Sequence, residues 1–509
     1  MDAEPFKTPS VLSALLQRLQ ELPPNSTILP TLPEDGTIIA ARQSLPQTLT
    51  EHGHADWSKH LIRDIAPALN AASLSPNYYG FITGGCTPAA LFGDMLASIY
   101  DQNVQVHLPQ QTIATNVEFC ALNLLLDLFH LDRNVWGHSP TFTTGATASN
   151  VLGLAMGREW ILRCRAEERG TSIRSIAEHG IHEVMESTGV KKIQILSTMP
   201  HSSIAKAASI VGIGRSNIVP VMETAISGDF NIGIDLDRLE EEAKKAEVAN
   251  ILVISAGEVN TGRFATNGLA EMKKVRSIYD QYGIWIHVDG AFGLFGRLFT
   301  PVDEAEFGEI FRGCQGLELA DSITGDGHKL LNVPYDCGFY FCRHKGIAEE
   351  VFRNGNAAYL TSTASNDDMS SPLNIGIENS RRFRALPVYA TLQAYGRRGY
   401  VDMLKRQIRL ARKVVEDMWD SEVYQLLPES SSKTDMLAKI FMVVLFCAKE
   451  ESLNIDLVRR INATKRMYVS GTTWNGQHAA RIAVANWNVE VERDYEIIQS
   501  VLRHVAEGR

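Results

Sequence analysis

Ile284-Trp285-Ile286-His287-Val288-Asp289-Gly290-Ala291 decides the fold. The apolar run through Val288 reads as a buried strand, Asp289 closes it, and two small residues follow. Further along stands Gly327-His328-Lys329. Ile193–Ser197, Ile251–Ser255 and Gly338–Cys342 are further strand candidates, with helical stretches such as Asp235–Ala246 and Leu269–Tyr282 between them. This alternation predicts an α/β architecture: a mostly parallel sheet with helices on both faces. Such sheets carry ligands at the carboxyl ends of their strands, where Asp289 lies.

The pattern changes after Pro387. Val388–Trp419 reads as a long helix broken near Gly396–Gly399. Lys439–Cys447, Met467–Ser470 and Arg481–Asn486 read as strands, and Ile455–Ala463 and Asp494–His504 as helices. The expected organisation is an N-terminal helical, dimer-forming and pocket-lining segment (1–90), a large domain (91–386) and a small C-terminal α+β domain (387–509). At the N-terminus, Val11–Leu22 reads as an amphipathic helix, and Pro23–Pro46 as a meandering connection rich in Pro, Thr and Gly.

With 509 residues, 45% hydrophobic and 21% charged, the chain has the composition of a soluble protein of two or three domains. A net charge of −10 gives no support for general nucleic-acid binding. No apolar run is long enough to span a membrane, and Met1–Pro9 lacks a signal pattern, so a cytosolic location is expected. The seven cysteines are scattered, without zinc-ligand spacing, and read as reduced core thiols.

A strand-end carboxylate and a lysine after a later strand suit pyridoxal 5'-phosphate (PLP). The amine would form an imine with the cofactor aldehyde, and the acid would hold the pyridine nitrogen protonated, making the ring an electron sink. An ordinary lysine, with a pKa of roughly 10.4, is mostly an unreactive ammonium and needs burial or a neighbouring cation to free its amine. Thr143–Asn150 precedes a helical run through Trp160. Its small residues let backbone approach an anion, and Thr147 or Ser149 is placed to cap the helix and donate to phosphate. His201, after the strand Ile193–Ser197, is placed to stack on a flat ring and orient a carboxylate. Each feature alone has an ordinary structural explanation; their combination favours an enzyme.

Taken in order, Asn77–Phe81, Thr144–Asn150, Pro200–Ser203, His287–Ala291, Gly327–Lys329, Asp336–Gly338 and Ser380–Leu386 resemble the group II pyridoxal-dependent amino-acid decarboxylases. The resemblance runs from about Pro76 to Trp487. It implies PLP-dependent fold type I, of the aspartate-aminotransferase kind, and a homodimer with shared active sites. By position it makes Lys329 the Schiff-base lysine, Asp289 the pyridinium partner and His201 the ring-stacking histidine. It also makes Ala146, Thr147 and His328 phosphate-side residues, Ala291 a cofactor neighbour, and Phe81 and Thr83 pocket residues. Tyr359 matches a loop tyrosine that protonates the carbon after carbon dioxide leaves; phenylalanine there accompanies oxidative deamination to aldehydes.

Three positions depart from the family pattern. Asp326-Gly327 stands where well-known members have Asn-Pro, and a carboxylate cannot donate to phosphate as an amide can. Either Asp326 points elsewhere or the phosphate cup is rebuilt. Val259 replaces a hydroxyl expected near the cofactor 3-oxygen, with Asn260 or Thr261 as substitutes, and Leu330 replaces a tryptophan.

The expected reaction is decarboxylation of an L-amino acid, with an aromatic substrate the first choice on Phe81, Tyr78 and Tyr79. Arg381, Arg382 and Arg384 would serve either as a clamp for an acidic substrate or as structural ion pairs. An aldehyde synthase or another carbon–carbon lyase, and a non-enzymatic dimer on the same fold, are the alternatives.

Overall fold

The structure is a computed structural model describing residue 13 and residues 29–49, 51, 56–223, 230–354 and 371–508. The expected helix Val11–Leu22 and Tyr359 with its loop lie outside the described residues, apart from Ser13.

Twelve strands form two sheets among the described residues. The large sheet holds β2 (Thr141–Thr143), β3 (Lys192–Ser197), β4 (Ile218–Pro220), β5 (Val248–Ser255), β6 (Trp285–Asp289), β7 (Ser322–Asp326) and β8 (Gly338–Cys342). Its order is β2-β8-β7-β6-β5-β3-β4. Neighbours are parallel except at β8, which runs against both β7 and β2. The type I α/β fold is thus as expected.

Alternation along the strands divides the core. On β5, Ile251 and Val253 join the cluster that contains Leu152 and Ile161, whereas Leu252 and Ile254 join the cluster on the other face. On β6, Trp285 packs with the first cluster and Ile286 and Val288 with the second. Period two therefore turns His287 and Asp289 to Trp285's face. Helix α3 (Ala146–Arg169) covers that face. It lies close because Gly153 and Gly157, one turn apart, face β6. An added Cβ would stand 2.5 Å from the His287 ring and 2.8 Å from Trp285.

The other helices are α1 (Pro88–Tyr100), α2 (Ala114–Leu128), α4 (Ser202–Ile210), α5 (Leu236–Ala243), α6 (Leu269–Tyr282) and α7 (Glu304–Cys314). Next comes α8 (Ala385–Met418), in which Gly396 leaves helical geometry at φ 57°, within the expected break. Helices α9 (Glu451–Ala463) and α10 (Val491–Ala506) pack on the second sheet.

That sheet has the order β1-β11-β12-β10-β9. Four strands come from the C-terminal part: β9 (Tyr424–Leu427), β10 (Val443–Ala448), β11 (Tyr468–Trp474) and β12 (Gln477–Ala483). The fifth, β1 (Tyr78–Tyr79), arrives from the N-terminal part and pairs parallel with β11. One reading of the N-terminus is corrected: within Pro23–Pro46, Asp35–Ser44 is a helix, with Asp35 in its first turn and Arg42 in its last. The run from Ile38 to Ala41 supplies its helix formers, outweighing the flanking Pro and Thr. All seven cysteines are free thiols; Cys314, Cys337, Cys342 and Cys447 are buried, but Cys120 on α2 is exposed, so it is not a core thiol.

Candidate active site

Asp289 ends β6, and Lys329 follows β7, the next parallel strand. The pairing of the two strands continues past their ends: the Gly290 amide donates to the Thr324 carbonyl at 3.0 Å, and the Asp326 amide to the Ala291 carbonyl at 3.1 Å. Adjacent strands lie roughly 4.8 Å apart, so acid and amine occupy one end of the sheet. His201 caps α4 after β3 and feels both: burial lowers its pKa below the usual 6.5, Asp289 raises it and Lys329 lowers it further. The Lys329 amine sits 5.7 Å from the centre of the Phe292 ring and 3.2 Å from Asp326 Oδ2.

A hydrogen-bond chain beneath the sheet end fixes the proton positions. The Trp285 indole can only donate, and it donates to Ser322 Oγ at 3.1 Å. Ser322 Oγ then donates to His287 Nδ1 (2.7 Å), leaving the proton of this imidazole on Nε2 for Asn150 Oδ1 at 2.9 Å. Asn150 Nδ2 donates to Asp289 Oδ2 at 3.0 Å and to Ser203 Oγ at 3.1 Å. His201 Nδ1 accepts from Ser203 Oγ (2.8 Å) and from the Ser203 amide (3.2 Å). Neutral His201 therefore carries its hydrogen on Nε2. Burial alone holds His287 neutral, with its pKa down at about 3.

The N-terminus of α3 faces the same corner. Gly145 is its cap residue and gives no side-chain bond. Neither Thr147 nor Ser149 caps it: Ser149 Oγ, fully buried, is bonded to Thr143 Oγ1 (2.7 Å) and the Phe339 carbonyl (3.2 Å). Asp326 takes the position instead, its Oδ1 accepting from the Ala146 amide at 2.6 Å. His328 Nδ1 donates to the Cys337 carbonyl at 2.9 Å, its ring packs 4.9 Å from Tyr335, and burial lowers its pKa.

The segment after β1 presses on this corner. Phe81 and Ile82 both adopt positive φ (56° and 58°), a strained geometry for such side chains. A Cβ on Gly84 would stand 1.9 Å from the Lys329 carbonyl, so only glycine allows this approach. Phe81 is largely exposed and lies 6.2 Å from Tyr468, which stacks on Tyr78 at 4.4 Å. Buried Thr83 shares a 2.8 Å hydrogen bond with Tyr335. Ala291 is half-buried, its amide donating to Asp289 Oδ1 at 3.3 Å.

Two suggested replacements at Val259 are committed elsewhere. Asn260 Oδ1 accepts from Thr472 at 2.9 Å, and the Thr261 hydroxyl donates to Glu258 at 2.8 Å. The three arginines are in ion pairs: buried Arg381 with Glu118, Arg382 with Asp94 at 2.6 Å, and Arg384 with Asp336 at 3.2 Å.

Sequence reasoning missed Asn150 as the node of the network, and it missed Arg481. Arg481 on β12 is buried, its Nε has no hydrogen-bond partner, and its charge lowers the His201 pKa. A lone arginine leading into the apolar run Ile482–Ala485 was the available signal.

An amine and a carboxylate at one sheet end, an imidazole whose titration both influence and a helix N-terminus in the same corner have the chemistry that a PLP enzyme needs. The family model for the pyridoxal-dependent decarboxylase conserved domain matches residues 41–434. The chain is 28% identical to an L-2,4-diaminobutyrate decarboxylase of Acinetobacter baumannii, over 64% of this chain and 59% of that one. It is 23% identical to an aromatic-L-amino-acid decarboxylase of Catharanthus roseus, over 88% and 83% of the two chains. The fold is similar to that of Catharanthus roseus tryptophan decarboxylase in complex with L-tryptophan, with TM-score 0.77, 19% identity and coverage of 100% and 99%. The chain belongs to the pyridoxal-dependent decarboxylase family and is a PLP-dependent amino-acid carboxy-lyase. The amine, carboxylate and imidazole suit PLP, while Asp326 and the absence of a free hydroxyl at Val259 do not. Among the described residues, no helix is long and apolar enough to cross a membrane.

Proposed function

We propose that this enzyme decarboxylates an aromatic L-amino acid at the corner formed by Lys329, Asp289 and His201. The observation that carries the assignment of residues is the hydrogen-bond chain from Asp289 through Asn150 and Ser203 to His201, at the sheet end where Lys329 follows the neighbouring strand. PLP, when bound, supplies an electron sink for the bond to the leaving carboxylate. Lys329 is the anchoring amine and Asp289 the partner of the ring nitrogen, held by Asn150. Ala146, Thr147 and His328 lie on the phosphate side, and Ala291 lies beside the ring. His201, with its hydrogen on Nε2, orients the substrate carboxylate, and the buried charge of Arg481 favours an anion there. Tyr359 returns a proton to the α-carbon.

The aromatic choice is supported by Tyr78, Phe81 and Tyr468 around Thr83 and Tyr335. The acidic alternative loses its clamp, because Arg381, Arg382 and Arg384 already have carboxylate partners. A homodimer is supported by the exposed apolar side chains of α1, including Leu91, Phe92, Ile99 and Tyr100. Light scattering of wild type and Phe92→Glu tests it: a wild-type monomer would count against the dimer. The proposed division at 387 is supported by the second sheet, which takes four of its five strands from beyond that point and only β1 from the N-terminal segment. A cytosolic location is supported by the free thiols.

The test incubates the holoenzyme separately with tryptophan, tyrosine, phenylalanine, 2,4-diaminobutyrate, glutamate and aspartate. Carbon dioxide and amine products are measured. Turnover of an aromatic substrate, abolished in Lys329→Ala, is expected; turnover confined to the acidic or diamino substrates would overturn the choice. Hydrogen peroxide formed in step with carbon dioxide by wild type would identify an aldehyde synthase. Tyr359→Phe is expected to shift toward that product.

A further inference from the structure

We propose that Asp326 is a built-in rival of the cofactor phosphate: its carboxylate occupies the α3 N-terminus and the Lys329 amine, so PLP binds more weakly than it would beside a neutral amide. The inference rests on assigning this corner to the cofactor and goes beyond it by naming the residue that limits affinity.

Asp326 ends β7 and is only 3% exposed. Its Oδ1 accepts from the Ala146 amide at 2.6 Å, and its Oδ2 lies 3.2 Å from Lys329 Nζ. A helix N-terminus attracts one anionic group through its free amides and its dipole. Here an internal carboxylate already holds that place on the first amide of a 24-residue helix. Both side chains line the approach to the helix start: a Cβ on Gly145 would stand in contact with Asp326 Oδ1 at 3.4 Å and His328 at 3.3 Å. His328 gives no relief, since its Nδ1 is 3.7 Å from Asp326 Oδ1 and bonded to the Cys337 carbonyl. A phosphate entering this corner meets a carboxylate that cannot donate to it and repels it. An asparagine would keep the shape, remove the charge and provide two N–H donors.

The phosphate argument separates from any effect on the lysine. A carboxylate that acted only through Lys329 would alter binding of every aldehyde alike. Rivalry for the helix N-terminus penalises only a ligand that carries phosphate.

The experiment titrates the full-length apoproteins of wild type, Asp326→Asn and Asp326→Ser with PLP and, separately, with pyridoxal, which lacks the phosphate. Binding is followed by cofactor absorbance and tryptophan fluorescence, and inorganic phosphate is added as a competitor. Thermal melting confirms that each variant is folded, and Lys329→Ala marks lysine-dependent binding. Asp326→Asn is expected to bind PLP at least about tenfold tighter than wild type, as removal of one buried like charge warrants. Asp326→Ser should move the same way. Pyridoxal affinities should agree within about threefold, and phosphate should compete better against the variants. PLP affinities unchanged in both variants, or an equal gain for pyridoxal, would overturn the proposal while leaving the cofactor site intact. Failure of all three proteins to bind PLP through Lys329 would instead remove the site assignment on which it rests.

Discussion

Replacing Asn150 by alanine tests the network beneath the sheet end. Asn150 is fully buried and joins three groups: Asp289 at 3.0 Å, Ser203 at 3.1 Å and His287 at 2.9 Å. Each neutral bond contributes about 1 kcal/mol and the bond to the carboxylate about 1.5–3 kcal/mol, giving a total near 3.5–5 kcal/mol. Thr324 Oγ1, 3.4 Å from His287 Nε2, can recover part of one bond, so the expected loss is about 3–4 kcal/mol. Equilibrium urea unfolding of the two apoproteins would measure it as a shift in midpoint at unchanged slope. Asn150→Asp keeps the shape but replaces the donor facing Asp289 with a second carboxylate. It should be as destabilising at pH 8 and should regain stability as the pH is lowered, which the alanine variant should not. An alanine variant within about 1 kcal/mol of wild type, or an aspartate variant with no such pH dependence, would refute the network as the device that holds Asp289.

The histidine in the same chain gives the second expectation. His287 has a folded pKa of about 3, below its ordinary 6.5, so below pH 6.5 the unfolded chain takes up a proton that the folded chain refuses. Its contribution is intact above pH 6.5 and is lost toward pH 3, at about 1.4 kcal/mol per pH unit. His287→Gln should flatten stability against pH by that slope in urea titrations between pH 7 and 5; identical slopes would count against it. Gly153→Ala drives a methyl toward His287, 2.5 Å away, and should cost about 1–3 kcal/mol on a melting curve, more than the same change at open Gly36. Glu118→Ala strands the buried Arg381 guanidinium and should cost about 3–5 kcal/mol. The exposed Arg409–Glu306 pair should lose under about 1 kcal/mol in Glu306→Ala; equal costs for the two variants would refute the distinction.

Much of this was legible where one local pattern dominated. β8 and α6 were read to the residue, because a continuous apolar run and a clean helical period leave little choice. The break in α8 followed from its glycines. The short strands β2 and β4 were not read: three residues give no period, and pairing with a neighbour makes them strands. Lys329, Asp289 and His201 were singled out because strand ends and family motifs mark them. The partner of Asp326 lay hidden, since Ala146 is far away in sequence and side-chain direction is not encoded in spacing. Asn150 was quoted only as the end of a small-residue segment. Its companions Gly153 and Gly157 marked the face of α3 that lies on β6, but a helix–sheet contact has to be folded to be seen.

The pairing of β1 with β11 carries a consequence for how the chain matures. Tyr78 aligns with Tyr468 and Tyr79 with Val469, and Thr31 also donates to the carbonyl of Lys465. β1 thus lacks its strand partner until β11 has emerged from the ribosome, although Thr83 and Gly84 just after it rest on Tyr335 and Lys329 of the large domain. A nascent chain can assemble the large sheet and bring Lys329 beside Asp289 well before that moment. A truncated product stalled short of β11 would carry the strands of the large sheet while leaving β1 without the neighbour that Tyr78 and Tyr79 pair with.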